Sequence, residues 1–212
     1  MQIFVTATNT GVGKTYTTLQ LLELAHKMGL KPGAIKPIET GVHGIPEDGS
    51  KLLQKCQELN PSLKDAAIDD IVPYQFSLPA APFVAKEDQT IDLEHIKKKV
   101  EEIQNVCDIV FIEGAGGLMV PIEKDFFMVD LIKYLAIPSL LVTPSKLGCI
   151  NDTLLSLQCL KANAIPHHWY INLFEDKDDF FEITYPFYEA YFDEVPLELD
   201  LILQRYTNSH SS

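Results

Sequence analysis

Gly13, Lys14 and Thr15 stand together near the start of the chain, in TATNTGVGKTYTT (residues 6–18). In that order their types suit a polyphosphate. Backbone N–H groups of a glycine-rich turn cradle phosphate oxygens, the lysine reaches the terminal ones, and the threonine hydroxyl ligates Mg²⁺. The match to a phosphate-binding loop is incomplete, because Thr8, preceded by Ala7, fills the place of the first glycine. Glu113 closes the apolar run of DIVFIEGAGG. Magnesium takes few carboxylates together with a hydroxyl, phosphate oxygens and water, so Thr15 and Glu113 are its candidate ligands. The following Gly114–Gly117 segment offers backbone N–H groups without side-chain bulk, suited to an oxyanion rather than to packing. Lys36 lies in AIKPIETG, where Pro37 restricts it to an extended conformation at a strand end, pointing over a transferring phosphoryl group. Asp48, in PEDGSKLL, reads as a helix N-cap, since a helix starts just after it.

These residues must be held by the elements around them. IFVTAT, PGAIKPI, DIVFIEGA, PSLLVTPS and HWYINLF are short and mostly apolar, as strands covered on both faces are. KTYTTLQLLELAHKMG, DLEHIKKKVEEIQN and INDTLLSLQCLKANA have helical length and spacing. Alternating strands and helices predict an α/β fold with a doubly wound, mainly parallel sheet, in which ligands bind at the carboxyl ends of the strands. Lys36, Glu113 and Lys146 all fall on that edge. Lys97 to Lys99, mid-helix among acids, read as a solvated face.

The 212 residues suffice for one core, so a single domain over residues 1–212 is expected, with a C-terminal tail from about 175 to 212 of uncertain order. A net charge of −13 argues against nucleic acid or an anionic membrane as partner. It also makes each lysine after a strand more informative. The only arginine is Arg205, close to the C-terminus, so lysines rather than an arginine finger must neutralise a transition state. Cys56, Cys107, Cys149 and Cys159 lack metal or redox spacing and read as reduced thiols. The adjacent His167 and His168 point to opposite faces of a strand and make no zinc site. With no apolar stretch of membrane-spanning length, a soluble, unprocessed, cytoplasmic protein is expected.

In combination, TNTGVGKT, IKPIETG, IEGAGGLMVPI and KLGCIND closely resemble dethiobiotin synthetase, the ATP-dependent ring-closing ligase of biotin synthesis, from residue 1 to about 174. The resemblance implies a three-layer P-loop NTPase-like fold and a homodimer with shared active sites, acting on 7,8-diaminononanoate, CO₂ or bicarbonate, and MgATP. It implies that Gly11, Val12, Gly13, Lys14, Thr15 and Tyr16 hold the triphosphate, with Lys14 and Lys36 catalytic. Thr15, Asp48 and Glu113 would gather Mg²⁺, and Gly114, Ala115 and Gly116 would lie along the nucleotide. Thr10, Lys36, Thr40, Gly116 and Gly117 would contact the substrate. Gly148, Cys149 and Asn151 would bind its carboxylate from the neighbouring subunit, at a helix N-terminus that favours an anion. Asn172 would face adenine.

The chain also departs from the family pattern. Gly11 stands where an acid is common, Phe83 where His is frequent, the Asn-Asp pair reads Asn172-Leu173, and the tail lacks the Gly-x-x-Pro segment that closes over the base. Weakened adenine selection is expected, with other nucleoside triphosphates accepted. A related amide ligase would carry a glutamine-hydrolysing domain, for which 212 residues leave no room. A partitioning or septum-positioning switch ATPase would carry an early loop lysine, and residues 7 to 13 contain none.

Overall fold

A computed structural model describes residues 1–174 and 177–209. The expected tail therefore falls outside the described residues at 175, 176 and 210–212. Strand β1 (Gln2–Ala7) leads through the phosphate loop into helix α1 (Lys14–Lys27), followed by β2 (Pro32–Ile35), β3 (Ile38–Thr40) and α2 (Glu47–Leu59). Next come a 3₁₀ turn (Pro61–Leu63), α3 (Ile68–Ile71), β4 (Tyr74–Phe76), α4 (Pro82–Ala85) and α5 (Leu93–Gln104). The long β5 (Ile109–Gly117) precedes a hairpin of β6 (Pro121–Glu123) and β7 (Phe126–Phe127), then α6 (Met128–Leu135), β8 (Ser139–Pro144), α7 (Cys149–Ala162) and β9 (His167–Asn172). The chain closes with α8 (Lys177–Asp179), a π-helical turn (Phe180–Thr184), α9 (Tyr185–Tyr191) and α10 (Leu199–Ser209).

The five apolar runs supply five parallel strands in the order β2-β5-β1-β8-β9. Ile3 to Val5, Ile109 to Ile112 and Leu140 to Val142 are at most 1% exposed, so the central strands are covered on both faces, as their unbroken apolar runs require. Helix α1 packs on α2 and α10, α5 on β2 and β5, and α7 on β8. Burying one such Leu, Ile or Phe side chain stabilises the fold by about 1.5–3 kcal/mol. Strand β1 sits mid-sheet. The chain leaves it towards β2 on one side and reaches β8 on the other, which places the topological switch, and hence the ligand crevice, at the carboxyl end of β1.

The run PGAIKPI is not one strand. Pro37 has no N–H to give a ladder and holds Lys36 extended, so the main sheet ends at Ile35. Ile38–Thr40 joins a separate parallel pair with β4, in the register Ile38 to Tyr74. GAGG is likewise not a turn beyond a strand but the last part of β5. A Cβ on Gly114 would lie 2.8 Å from Phe4 Cε1, and one on Gly117 would lie 2.9 Å from the Thr8 carbonyl oxygen. Packing against β1 and the loop therefore demands glycine at both positions, contrary to the expectation that packing plays no part there.

The C-terminal segment carries a small apolar cluster of its own: Phe180 and Tyr188 pack with Cys149 and Ile171. Tyr188, wholly buried, donates from its hydroxyl to Thr153 Oγ1 at 2.9 Å, tying α9 to the first turns of α7. Edge strand β9 is bounded by the same segment, the Ile171 N–H donating to the Pro196 carbonyl and the His168 N–H to the Tyr206 hydroxyl. Among the described residues no helix is long and apolar enough to cross a membrane.

Candidate active site

The loop from Thr8 to Gly13 turns sharply enough that Gly11 and Gly13 take φ of 77° and 90°, where a side chain is strained. Gly13 is constrained twice, since a Cβ there would come within 2.1 Å of Asn172 Nδ2. That amide, 4% exposed, donates to the Val12 carbonyl oxygen at 3.1 Å, so the end of β9 braces the loop from behind. Asn172 was expected to face adenine, but the donor side of its amide is committed to the loop. Lys14 is buried and its ammonium donates to the Asn9 carbonyl oxygen at 3.2 Å, which folds the side chain back over the loop. Burial, and then the nearby Lys36 charge, pull the Lys14 ammonium down to about 8.

The phosphate loop, the end of β2, the end of β3 and the start of α2 enclose a cleft of about 490 Å³. Of the residues singled out in the sequence, Thr10, Gly11, Gly13, Lys14, Thr15 and Tyr16 line it from the loop side. Lys36, Thr40, Asp48, Ala115 and Gly116 line it from the others. Glu113, with no exposed surface, lies behind the lining, bonded to Thr15 and Lys36, which do face the cleft. Its Oε1 accepts from the Thr15 hydroxyl at 2.8 Å and from the Lys36 ammonium at 2.7 Å, and its Oε2 accepts from the Thr18 hydroxyl at 2.8 Å. Asp48 Oδ2 lies 3.3 Å from the same ammonium. Burial alone would lower the Lys36 ammonium, but the Glu113 and Asp48 carboxylates overcome it and hold Lys36 above the ordinary lysine range. Burial likewise acts to raise Asp48, and is outweighed by the charge and hydrogen bond of Lys36 and a hydrogen bond from Thr15, leaving Asp48 below the usual carboxylate value.

Other expected residues lie elsewhere. The Val12 side chain turns from the loop into the core, and Gly114 and Gly117 are packed within β5. Gly148, with φ of 93°, caps α7, and Cys149 is buried under Tyr188. Asn151, exposed in the first turn of α7, borders a larger cavity of about 770 Å³ that also takes in Trp169 and Arg205. Lys146 is exposed just past β8.

Two contributors were missed in the sequence. Thr18 lies three positions after Thr15, so the two hydroxyls share a helix face, a spacing that could have flagged it. Glu39 accepts from the Asp48 and Gly49 amides, and no local pattern in KPIETG announces it.

No group of three or more His, Cys, Asp or Glu side chains suited to a metal occurs among the described residues. The Thr15 hydroxyl bonds to Glu113, and Asp48 and Glu113 share the Lys36 ammonium, a small set of hard oxygen donors of the kind magnesium takes beside phosphate and water. A parallel sheet with a phosphate loop at its switch point, Lys14 and Thr15 at the loop's end and an acid on the neighbouring strand defines a P-loop α/β nucleotide-binding protein. A family model described as an AAA domain matches residues 1–172. The chain is 50% identical over 190 residues to the ATP-dependent dethiobiotin synthetase of Sulfurovum sp., covering 90% of each chain. To the ATP-dependent dethiobiotin synthetase of Wolinella succinogenes it is 42% identical, covering 88% of each. A plasmid partition protein from Borrelia burgdorferi, 15% identical with 98% of each chain covered, shares the fold alone at a TM-score of 0.55. The chain belongs to the ATP-dependent dethiobiotin synthetase family.

Proposed function

We propose that this protein is a cytoplasmic ligase that uses ATP and CO₂ to close the ureido ring of dethiobiotin on 7,8-diaminononanoate, residues 1–212 acting as one unit and pairing as a homodimer. One amine of the diamine adds to CO₂ and loses a proton, giving a carbamate. The carbamate oxygen takes the γ-phosphoryl group of ATP, releasing ADP and leaving a carbamic-phosphoric anhydride. The second amine attacks the carbamoyl carbon and expels phosphate as the ring closes.

The observation that carries this reading is the convergence of Thr15, Lys36 and Asp48 with Glu113 beside the phosphate loop, in a chain that shares half its residues with a dethiobiotin synthetase over nine-tenths of its length. Carbamate and triphosphate are both anions, and bringing them together costs electrostatic energy that preorganised cations offset. Lys14 reaches the terminal phosphate. Lys36, held rigidly by Glu113 and Asp48, is directed at the carbamate and the moving phosphoryl group. Thr15, Asp48 and Glu113 hold Mg²⁺, which when bound neutralises charge on the phosphate oxygens. Thr10, Thr40 and the backbone at Gly116 and Gly117 orient the diamine end. Gly148, Cys149 and Asn151 of the neighbouring subunit take the substrate carboxylate at the start of α7.

Phosphate release from MgATP and bicarbonate, measured with and without 7,8-diaminononanoate and followed by mass analysis of the organic product, tests the reading. Diamine-dependent release with formation of the cyclic urea is expected. Diamine-independent hydrolysis would instead favour a nucleotide switch.

A further inference from the structure

Helix α2 presents Asp48 to the cleft, yet nothing at its own start caps it. Its N-cap is Pro46, whose side chain accepts no hydrogen bond, whereas the sequence had Asp48 itself as the cap. The cap comes from outside the helix. Glu39, on β3 and only 6% exposed, accepts from the Asp48 N–H through Oε1 at 3.0 Å and from the Gly49 N–H through Oε2 at 2.9 Å. The fit is close enough to need glycine at 49: a Cβ there would lie 3.2 Å from Glu39 Oε2 and 2.1 Å from Val72 Cγ2. A carboxylate at this place also satisfies free first-turn amides and complements the helix dipole.

We propose that Glu39 is a positioning residue of the metal–nucleotide site: by gripping two successive amides it fixes the backbone of Asp48 and so sets where the Asp48 carboxylate stands relative to Lys36 and Thr15. Glu39 lines the same cleft as Lys36, Thr40 and Asp48, and the part assigned to it here is to hold the Asp48 backbone. The grip needs both oxygens of a carboxylate, because a glutamine offers one acceptor and turns an NH₂ group towards the other N–H. A buried N–H left without an acceptor is costly enough to move the turn. The neighbouring strand thus controls a ligand on the helix, and the E-T-G following Lys36-Pro37 becomes part of the metal site without binding metal.

This inference rests on Asp48 being a magnesium ligand, as read above, and its test needs no turnover. Binding of a non-hydrolysable ATP analogue is measured by calorimetry with and without Mg²⁺, and again with Mn²⁺, for the unaltered protein, Glu39→Gln and Asp48→Ala. Glu39→Gln is expected to weaken the metal-dependent binding by about tenfold, the scale of one lost hydrogen bond to a charged group, and to weaken metal-free nucleotide binding by a clearly smaller factor. Should Glu39→Gln fail to fold, Glu39→Asp is read in the same way, since its shorter arm keeps the charge and withdraws the grip. If the Glu39 variants lose only melting temperature while Asp48→Ala loses the metal response, Glu39 is merely a helix cap and the proposal falls alone. If Asp48→Ala itself keeps the full metal response, the reading of Asp48 falls and takes this inference with it.

Discussion

The Lys36 ammonium sits 2.7 Å from Glu113 Oε1, a carboxylate with no exposed surface, and this pair forms the charged centre of the cleft. A cation so confined can stabilise developing charge without reorganising. Lys36→Ala is therefore expected to lower kcat by about a hundredfold or more, the scale of one preorganised electrostatic group. Steady-state kinetics on the purified variant, with circular dichroism to confirm folding, checks it, and an unchanged kcat would remove Lys36 from the mechanism.

Glu113 is oriented through both oxygens, Oε1 by Thr15 and Lys36 and Oε2 by Thr18. Glu113→Gln is expected to raise the half-saturating Mg²⁺ concentration of phosphate release by about tenfold or more, as loss of the proposed charged ligand should. Thr18→Val keeps the side-chain shape and removes one donor, so a smaller rise of about threefold to tenfold is expected. Identical magnesium curves for all three proteins would make Glu113 structural.

Beside the phosphate loop, Tyr16 and Phe174 are 52% and 74% exposed with ring centroids 6.5 Å apart, while the Asn172 amide is bonded to the loop. Flat aromatic faces bind any base by stacking and read no edge. GTP, CTP and UTP are expected to support turnover with kcat/KM within about tenfold of ATP, and Asn172→Ala to weaken all four by a similar factor through the loosened loop. A strong ATP preference, or a loss in Asn172→Ala confined to ATP, would show that the base is read directly.

The thiols differ enough in setting to be told apart by alkylation. Burial pushes Cys56 up to about 12 and Cys107 up to about 11, and Cys149 is 1% exposed, whereas Cys159 is only partly buried. Because the thiolate is the reacting species, a thiol reagent at pH 8 is expected to label Cys159 first, the other thiols following only on unfolding. Rapid native labelling of Cys56 or Cys107, located by mass spectrometry, would contradict the packing described.

Burial, then the charges of Arg205 and His167, hold the His168 imidazole below its ordinary 6.5. Above that value both folded and unfolded chains carry it neutral. As the pH falls below it, the unfolded chain takes up the proton first, so this contribution to stability declines until the lowered folded value is passed. Melting temperature measured from pH 7.5 to 5 is expected to fall towards the acid end, and His168→Gln to flatten part of that fall. Equal slopes in the two proteins would show that His168 does not titrate differently on folding.

What could be read from the sequence followed from how local each signal was. Gly13-Lys14-Thr15 is a contiguous motif between a strand and a helix, and the sheet's five apolar runs announce themselves by composition. Glu39 and Asp48 are nine residues apart with a turn between them, and their bond depends on a side pair of strands that no periodicity marks. The packing role of Gly114 and Gly117 depends on Phe4 and Thr8, more than a hundred positions away. Residues 180–209 are aromatic and acidic without clear period, and their helices are recognisable only once Tyr188 is seen filling the space beside Cys149.

Strand β9 forms one margin of the sheet. An open edge strand is a template on which a second chain can add itself, and a run as apolar as Trp169–Ile171 would be a poor thing to leave bare. Here the Ile171 N–H is taken by Pro196, a residue that has no N–H to offer in return, and the His168 N–H is taken by Tyr206. The last segment of the chain is thus a selvedge that stops the weave from growing, and shortening the protein ahead of Pro196 is expected to give a chain that self-associates through β9.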